Sequence, residues 1–211
     1  MRAGAVVLAG GRSSRMGRPK ALLDWHGVTA VSHAVDVVRD GADGGPVCVV
    51  RAPGQDVPPL AAIVVEDPVA YGGPLVALHA GLVALEGRCE AVFACGVDTP
   101  LLAPAFVRAV LRALRDGDDA VVPVIGGQAQ PLLAAYRIGL APVLGELLHG
   151  GALGLREIPG ACAVRTLSEH ELLEDADLSA TDPHLRSAAN ANTAEEWAAL
   201  LREARETPAS G

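Results

Sequence analysis

The stretch VVLAGGRSSRMGRPKALL, residues 6–23, decides the fold and points to a ligand. Its opening apolar run is typical of a buried parallel strand, and Gly10 and Gly11 follow at once, where the backbone can come close to a bound molecule. The loop predicted after them carries four cations: Arg12, Arg15, Arg18 and Lys20. Because the chain as a whole has a formal net charge of -8, this local positive charge predicts an anionic ligand.

A polyphosphate suits this loop. A glycine turn at the end of a strand can offer backbone N–H groups to an anion, and Arg and Lys side chains add positive charge. Two familiar phosphate motifs do not fit. A Walker loop needs Ser or Thr after its lysine, whereas Ala21 follows Lys20, and the Gly-x-Gly-x-x-Gly dinucleotide fingerprint is missing. A solvated basic loop after a core strand is the alternative interpretation.

Length and composition predict one domain over residues 1–206 with a disordered tail at 207–211. Half of the residues are hydrophobic but only 3% are aromatic, so the core must be built from Ala, Val and Leu. The acidic balance argues against a nucleic-acid partner, and the lack of about 18 consecutive apolar residues argues against a membrane span. Four scattered cysteines without metal-ligand spacing predict buried thiols and a cytoplasmic protein.

Strands and helices alternate along the first two thirds of the chain. This predicts an α/β fold with a three-layer, doubly wound, mostly parallel sheet. After the first strand, strands are predicted at residues 47–50, 63–65, 92–95, 120–124, 131–136 and 162–167, the last near the sheet edge. Helices are predicted from Thr29 to Gly41, from Pro74, from Pro104, over 140–148, and after a capping box at 193–196. The acidic segment 168–183 is poorly patterned and is expected to be a surface excursion.

Notable groups follow three of the predicted strands: the Gly10-Gly11 pair, Asp67 and Asp98. In an open α/β sheet the ligand lies outside the carboxyl ends of the strands, so these groups are expected to meet there. A carboxylate in such a place can hold Mg²⁺ against substrate phosphates. Asp98 precedes Thr99 and Pro100, however, and a turn-forming role is the alternative for it.

The first loop, read as Leu-Ala-Gly-Gly, three residues and then Arg-Met-Gly-x-x-Lys, resembles the signature of the nucleotidyltransferase superfamily. The resemblance is closest to the molybdenum cofactor guanylyltransferases and runs over nearly the whole chain. It is carried further by Val65-Glu66-Asp67 with Gly73-Pro74-Leu75, by Asp98-Thr99-Pro100, by Gln130-Pro131 with Tyr136-Arg137, and by Asn190-Ala191-Asn192-Thr193.

The resemblance implies a Rossmann-like nucleotidyltransferase fold and a defined reaction. GMP would pass from GTP to the terminal phosphate of molybdenum-molybdopterin, releasing pyrophosphate and forming the guanine dinucleotide cofactor. It implies Mg²⁺ as the cofactor, GTP and a molybdopterin-type phosphorylated acceptor as substrates, no nucleic acid or membrane partner, and transient contact with molybdoenzymes or cofactor-synthesis proteins. The implied nucleotide-binding residues are Leu8, Ala9, Gly10, Gly11, Lys20, Asp67, Gly73 and Asp98. The implied catalytic residues are Arg15, Lys20 and Asp98, and Asp98 would also be the metal ligand. The acceptor would contact Asn190, Asn192 and Arg156.

The expected chemistry needs no general base. A phosphate monoester is already mostly ionised at neutral pH, so it can attack the α-phosphorus directly. The protein must supply charge neutralisation: Asp98 with Mg²⁺ on the α and β phosphates, and Arg15 and Lys20 on the departing pyrophosphate. His33 and His79 fall on predicted helices, where a packing or surface role is favoured.

Two departures from the family pattern leave rivals open. Val50-Arg51 stands where the family often has Asn, and the stretch 151–156 offers only Arg156 where relatives carry a basic pair. The first rival is a cytidylyltransferase or another NTP:phosphate-acceptor enzyme on the same fold, although Gly10 in the first turn favours GTP. The second is a non-catalytic nucleotide-binding regulator, which the presence of Lys20 and Asp98 disfavours.

Overall fold

An eight-stranded sheet forms the centre of the protein in the computed structural model, which describes residues 1–10, 19–69 and 72–206. The sheet has the order β10-β7-β9-β6-β1-β4-β5, with β8 paired to β7, and a separate hairpin joins β2 and β3. In chain order the strands are β1 (Ala3–Leu8), β2 (Asp24–Trp25), β3 (Val28–Thr29), β4 (Val47–Arg51), β5 (Ile63–Glu66), β6 (Ala91–Gly96), β7 (Ala120–Ile125), β8 (Gln128–Ala129), β9 (Leu133–Arg137) and β10 (Val164–Ser168).

Helices cover both faces of this sheet. In chain order they are α1 (Ala30–Gly41), α2 (Pro74–Ala84), α3 (Pro104–Arg112), α4 (Ala141–His149), α5 (Glu169–Leu173), α6 (Ala176–Thr181) and α7 (Ala194–Glu206). Short 3-10 turns lie at Lys20–Leu22, Ile138–Leu140, Leu155–Gly160 and Arg186–Ala188. Within the described part of the chain, no helix is long and apolar enough to cross a bilayer.

The sheet is mostly parallel, as the alternation of elements predicts. Strand β1 pairs in parallel with both β4 and β6, and β7 pairs in parallel with β10. Strand β9 runs antiparallel to its neighbours β6 and β7. The chain reaches β9 from β7 through Gly126 and Gly127, both at positive φ, and the short strand β8. A connection this short has no room for a crossover helix, so the next strand must run in the opposite direction.

Two apolar cores separate the helix layers from the sheet. Helices α1 and α3 bury one face of the sheet, and α2 and α4 bury the other. The stripe predicted for α2 is confirmed: Leu75, Leu78 and Leu82 are fully buried. The predicted start of α1 is confirmed as well, because the Thr29 hydroxyl accepts a hydrogen bond from the N–H of Ser32. Helix α1 ends at Gly41, where a Cβ would lie 2.4 Å from Val107 of α3.

The acidic segment 168–183 is not a surface excursion, so that expectation was wrong. It forms α5 and α6, whose residues Leu172 and Leu178 are buried in the core beside α3. Two aspartates pair with arginines of α3, Asp175 with Arg112 at 3.2 Å and Asp177 with Arg108 at 3.1 Å. Helices of five and six residues are too short to show a periodic pattern in the sequence, which is why the prediction failed.

Helix α7 lies over the segment that follows the first loop. Its start has the predicted capping box, since the Thr193 hydroxyl accepts from the Glu196 N–H and Glu196 Oε2 accepts from the Thr193 N–H. Trp197 packs edge-on against Trp25, with ring centroids 5.4 Å apart, and both side chains are buried in a small third core. The expected tail at 207–211 lies outside the described residues.

Candidate active site

The carboxyl ends of four neighbouring strands meet at one edge of the sheet. Leu8 at the end of β1 is in register with Val50 of β4 and with Gly96 of β6, and Arg51 is in register with Glu66 of β5. A cavity of about 390 Å³ opens above this edge. It is lined by seven of the predicted site residues, Leu8, Ala9, Gly10, Lys20, Asp67, Gly73 and Asp98, and by Ala52, Pro74, Ala77, Gly96, Val97 and Leu132.

Lys20 and Asp98 lie together at this cavity although 78 residues separate them in the chain. The Lys20 ammonium is 3.4 Å from Asp98 Oδ2 and donates a hydrogen bond to Asn192 Oδ1 at 3.0 Å. Both charged side chains are only partly exposed, at 20% for Lys20 and 33% for Asp98. The structure therefore joins the first loop, the end of β6 and the Asn-x-Asn-Thr turn in one polar cluster.

The Asp98 carboxylate is positioned by the backbone around it. Its side chain folds back over Gly96, where a Cβ would lie only 2.4 Å from Asp98 Oδ1, so the observed position requires glycine at 96. The Asp98 carbonyl accepts a hydrogen bond from the Ala191 N–H at 2.8 Å. On the far side, His33 Nε2 of α1 lies 2.9 Å from the Pro100 carbonyl oxygen, which gives this histidine the predicted packing role.

The turn after β1 differs in one respect from the sequence-based expectation. The backbone N–H groups of Ala9 and Gly10 both donate to the Val50 carbonyl, at 2.9 and 3.2 Å, and so are already bonded within the fold. Glycine is required at 10 by packing within the fold, since a Cβ there would lie 3.0 Å from the Ala52 nitrogen. Gln55 fixes the turn from the other side, donating to the Ala9 carbonyl at 3.2 Å and accepting from the Ala52 N–H at 3.0 Å.

Asp67 and Gly73 border the cavity on the β5 side. The Asp67 N–H donates to the Arg51 carbonyl at 2.8 Å, and its carboxylate accepts from the Val69 N–H at 3.0 Å. Gly73 precedes α2 at φ 93°, and a Cβ there would lie 2.6 Å from the Leu153 carbonyl oxygen. Glycine is therefore required at 73 both by the backbone conformation and by the close approach of the 153 carbonyl.

Arg51, which stands near the family's Asn position, is engaged by its own surroundings. Its guanidinium donates to Glu66 Oε1 at 2.7 Å and also contacts the Gln55 carbonyl. These bonds tie the end of β4 to the end of β5 beneath the rim of the cavity. Arg51 is thus a structural residue at this edge of the sheet. The amide side chain that contacts the turn after β1 is that of Gln55.

The remaining predicted residues are not all brought into the cluster. Asn190 is exposed, and the Arg156 side chain is 89% exposed and pairs with Glu157 at 3.2 Å; neither lines the cavity. Gly11 and Arg15 lie outside the described residues, as do Arg12 and Arg18. Asn192, which was predicted to meet the acceptor, does contact Lys20.

The four cysteines are unpaired; Cys48, Cys89 and Cys95 are buried as predicted, whereas Cys162 is partly exposed. Burial raises the pKa of Cys48 to about 12, and it raises the pKa of Cys95, at the end of β6, as well. Because the thiolate is the reactive form, these two thiols stay protonated and inert at neutral pH. Their place in the core agrees with the prediction of buried thiols.

Comparison with known proteins supports the resemblance that the motifs indicate. The family model of the MobA-like NTP transferase domain matches residues 5–165, which is most of the chain. The chain belongs to this family. The match begins in β1 and ends in β10, so it includes the first loop, Lys20 and Asp98. The Asn192 turn and α7 follow the matched range.

A named relative and a solved structure match over nearly the full length. The probable molybdenum cofactor guanylyltransferase of Mycobacterium avium is 33% identical over 196 residues, covering 90% of this chain and 97% of the relative. The crystal structure of molybdopterin-guanine dinucleotide biosynthesis protein A from Archaeoglobus fulgidus has a TM-score of 0.76 at 18% identity, covering 97% of this chain and 100% of that one. The predicted fold class is thereby confirmed.

A third protein of the same fold bears on metal binding. The structure of Rv0371c from Mycobacterium tuberculosis in complex with manganese has a TM-score of 0.56 at 21% identity, covering 80% of this chain and 88% of that one. In the present chain, the described residues contain no group of three or more His, Cys, Asp or Glu side chains arranged to hold a metal alone. Mg²⁺ commonly uses one or two carboxylates together with substrate phosphates, and Asp98 at the cavity fits that donor set.

Two residues that shape the site, Gly96 and Gln55, were not predicted from the sequence. Gly96 ends a fully buried strand, and only the three-dimensional position of Asp98 shows why it lacks a side chain. The sequence also carries a further signal for the importance of Lys20. Lys20 is the only lysine in the sequence, against 16 arginines, so an ammonium is kept at this position in a chain that otherwise uses guanidinium.

Proposed function

We propose that this NTP transferase carries GMP from GTP to the terminal phosphate of a molybdopterin-type acceptor, releasing pyrophosphate and forming a guanine dinucleotide. The observation that carries the proposal is the cavity where the Gly10 turn, Lys20 and Asp98 meet. The naming of relatives at about 33% identity as molybdenum cofactor guanylyltransferases supports guanine and this acceptor. Gly10 in the first turn supports guanine as well.

The reaction is a displacement at the α-phosphorus of GTP. An oxygen of the acceptor's ionised phosphate forms a bond to the α-phosphorus, and the bond from that phosphorus to the bridging oxygen of the β-phosphate breaks. Pyrophosphate leaves with the electron pair. The nucleophile is already charged near neutral pH, so no side chain has to remove a proton. In agreement with this, the lining residues in the described part of the chain include no histidine or cysteine.

Lys20 has the position and charge to stabilise the leaving group. Its ammonium lies at the cavity on the side of the first loop and is held between Asp98 and Asn192. An ammonium that stays in place through the reaction stabilises charge that moves onto the pyrophosphate without reorganising. Arg15 is proposed, by family resemblance, to share this task.

Asp98 is the residue proposed to hold a divalent cation, which we take to be Mg²⁺. When bound, the cation would neutralise the charge of the α and β phosphates. Support comes from the partly exposed Asp98 carboxylate at the cavity and from the manganese complex of a protein of the same fold. Asp67, on the opposite rim, is proposed to meet the nucleoside end of GTP.

The acceptor is proposed to enter beside Asn192, and contacts of Asn190 and Arg156 with it are proposed by family resemblance alone. Asn192 is preferred for this role because its side chain accepts a hydrogen bond from the Lys20 ammonium. We place the enzyme in the cytoplasm, which the four unpaired cysteines support, since oxidising compartments favour disulfides. Transient contact with molybdoenzymes or other cofactor-synthesis proteins belongs to the same proposal.

The proposal is tested by Asp98→Asn, with Asp56→Asn as the matched control. Asn keeps the shape and turn-forming capacity of Asp98 but removes the charge, whereas Asp56 is an exposed carboxylate outside the cavity lining. Pyrophosphate release with GTP, acceptor and a Mg²⁺ titration is expected to fall by about 100-fold or more in Asp98→Asn and to be unchanged in Asp56→Asn. Metal-free GTP binding and the circular dichroism spectrum should persist. Near-normal turnover of Asp98→Asn at low Mg²⁺ would return Asp98 to a turn-forming role.

A further inference from the structure

The polar cluster at Lys20 extends past the cavity to Glu196, the capping-box carboxylate of α7. The Lys20 ammonium donates to Asn192 Oδ1 at 3.0 Å, so the position of the Asn192 side chain affects where the ammonium lies. Asn192 itself is exposed and sits in the short link before α7. Because the Asn192 side chain is exposed, its position depends on how the backbone of this link is held.

Glu196 holds this link by two backbone hydrogen bonds. Its Oε2 accepts from the Asn192 N–H at 2.6 Å and from the Thr193 N–H at 3.0 Å. The Thr193 bond belongs to the capping box of α7, but the Asn192 bond goes one residue beyond what a capping box needs. These bonds, ahead of the charge of nearby Lys20, lower the pKa of Glu196, so the carboxylate stays ionised at neutral pH.

The next residue of α7, Trp197, holds the other side of the cluster. Its indole N–H donates to the Asp24 carbonyl at 3.0 Å, two residues after the Lys20–Leu22 turn ends. Its ring lies in the third core together with Leu23 and Trp25. The start of α7 therefore contacts both sides of the Lys20–Asn192 hydrogen bond. Glu196 holds the link that carries Asn192, and Trp197 holds the segment that follows Lys20.

We infer that Glu196 is a positioning residue for the transfer reaction: through Asn192, it sets where the Lys20 ammonium lies relative to Asp98. The inference rests on the proposed function for the roles of Lys20 and Asp98. Glu196 does not line the cavity and is not expected to touch either substrate. Its effect is on geometry, and a group displaced from its reacting position can lower the rate of transfer without any change of fold.

The chain offers a matched control. Glu171 occupies the same position in the capping box of α5, where it accepts from the backbone and hydroxyl of Ser168. Glu171→Ala therefore removes an equivalent cap on another helix. Glu196→Gln provides the conservative variant, because one amide oxygen can accept both the Asn192 and the Thr193 N–H without the charge. The test set is wild type, Glu196→Ala, Glu196→Gln and Glu171→Ala.

Two readouts separate the inference from the proposed function. The first needs no reaction: protein grown with lysine labelled at Cε gives one NMR signal, since Lys20 is the only lysine. Glu196→Ala should move that signal and bring its two Hε protons closer to equivalence, whereas Glu171→Ala should leave it at the wild-type position. The second is the steady-state rate with GTP, Mg²⁺ and acceptor, where Glu196→Ala should lose on the order of tenfold in kcat/KM.

Glu196→Gln decides between positioning and charge. If Glu196 acts through its two N–H bonds, Glu196→Gln should leave the Lys20 signal at the wild-type position. Its kcat/KM should stay within about threefold of wild type. The inference is overturned if Glu196→Ala leaves the Lys20 signal unchanged, if Glu171→Ala moves it equally, or if Gln is as damaging as Ala. An inactive wild-type enzyme with the expected NMR shifts would reject the proposed function and leave the Glu196 link standing.

Discussion

Replacing Gly96 with alanine should slow transfer strongly while leaving the fold intact. An added Cβ at 96 would lie 2.4 Å from Asp98 Oδ1, whereas ordinary contacts begin at 3.4 Å, so the carboxylate has to retreat by about 1 Å. The backbone need not move, because the nearest backbone atom outside the neighbouring residues is Asp98 N at 3.8 Å. The substitution therefore displaces one functional group by a calculable distance.

The expected size of the effect follows from that distance. A misplacement of about 1 Å in a reacting group can lower a rate by about 100-fold, which corresponds to about 2.7 kcal/mol in the activation free energy. The free energy of unfolding should change by less than about 1 kcal/mol. Alanine lowers the conformational entropy of the unfolded chain relative to glycine, and this gain offsets the small cost of moving the Asp98 side chain. Kinetics should thus change far more than stability.

The assay compares Gly96→Ala with Gly145→Ala, a glycine of α4 whose added Cβ would meet only His79 Nε2 at 3.5 Å. Pyrophosphate release with GTP, Mg²⁺ and acceptor gives kcat, and thermal denaturation gives stability. Gly145→Ala should keep full activity. A Gly96→Ala enzyme with wild-type kcat would show that the observed position of the Asp98 carboxylate is not the one that the reaction uses.

Three further outcomes are expected. Lys20→Arg should lose at least about tenfold in kcat/KM with an unchanged circular dichroism spectrum, because a planar guanidinium cannot replace a compact ammonium between Asp98 and an amide oxygen; full activity would contradict this. Asp182→Ala should lower the free energy of unfolding by about 3 kcal/mol and Tm by roughly 10 °C, since the buried carboxylate accepts from the Arg186 and Ser187 N–H groups; a Tm within 2 °C or so of wild type would refute that reasoning. GTP with Mg²⁺ should raise Tm more than ATP, CTP or UTP does, and a larger shift with CTP would favour the cytidylyltransferase alternative.

The sheet and its main helices could be predicted because long apolar patterns determine them. The α2 stripe, the Thr29 cap and the strand ends at Gly10, Asp67 and Asp98 are all readable from residue spacing, and the structure brings the last three to one cavity. The family resemblance then identifies what such a cavity is for. The apolar pattern predicted a strand at the position of β9. Its antiparallel direction, however, depends on the short connection between β7 and β9.

What the sequence did not reveal depends on contacts between distant residues. The burial of Leu172 and Leu178 arises from docking on α3, which no local pattern shows in helices of five and six residues. The importance of Gly96 depends on how the Asp98 side chain folds back over it. Backbone N–H groups of the glycine turn were expected to be offered to an anion, yet the Gly10 N–H donates to Val50 of the neighbouring strand β4. In each case, the partner lies elsewhere in the chain.

One competition experiment tests the proposed GMP transfer most directly. The enzyme is incubated with a molybdopterin-type acceptor, Mg²⁺ and equal concentrations of GTP, ATP, CTP and UTP, and the products are identified by mass. The account predicts that the guanine dinucleotide dominates, that pyrophosphate appears in equal amount, and that Asp98→Asn forms neither product at a comparable rate. A cytosine dinucleotide as the main product would contradict the guanine assignment, and nucleotide binding without any pyrophosphate release would contradict the transfer reaction itself.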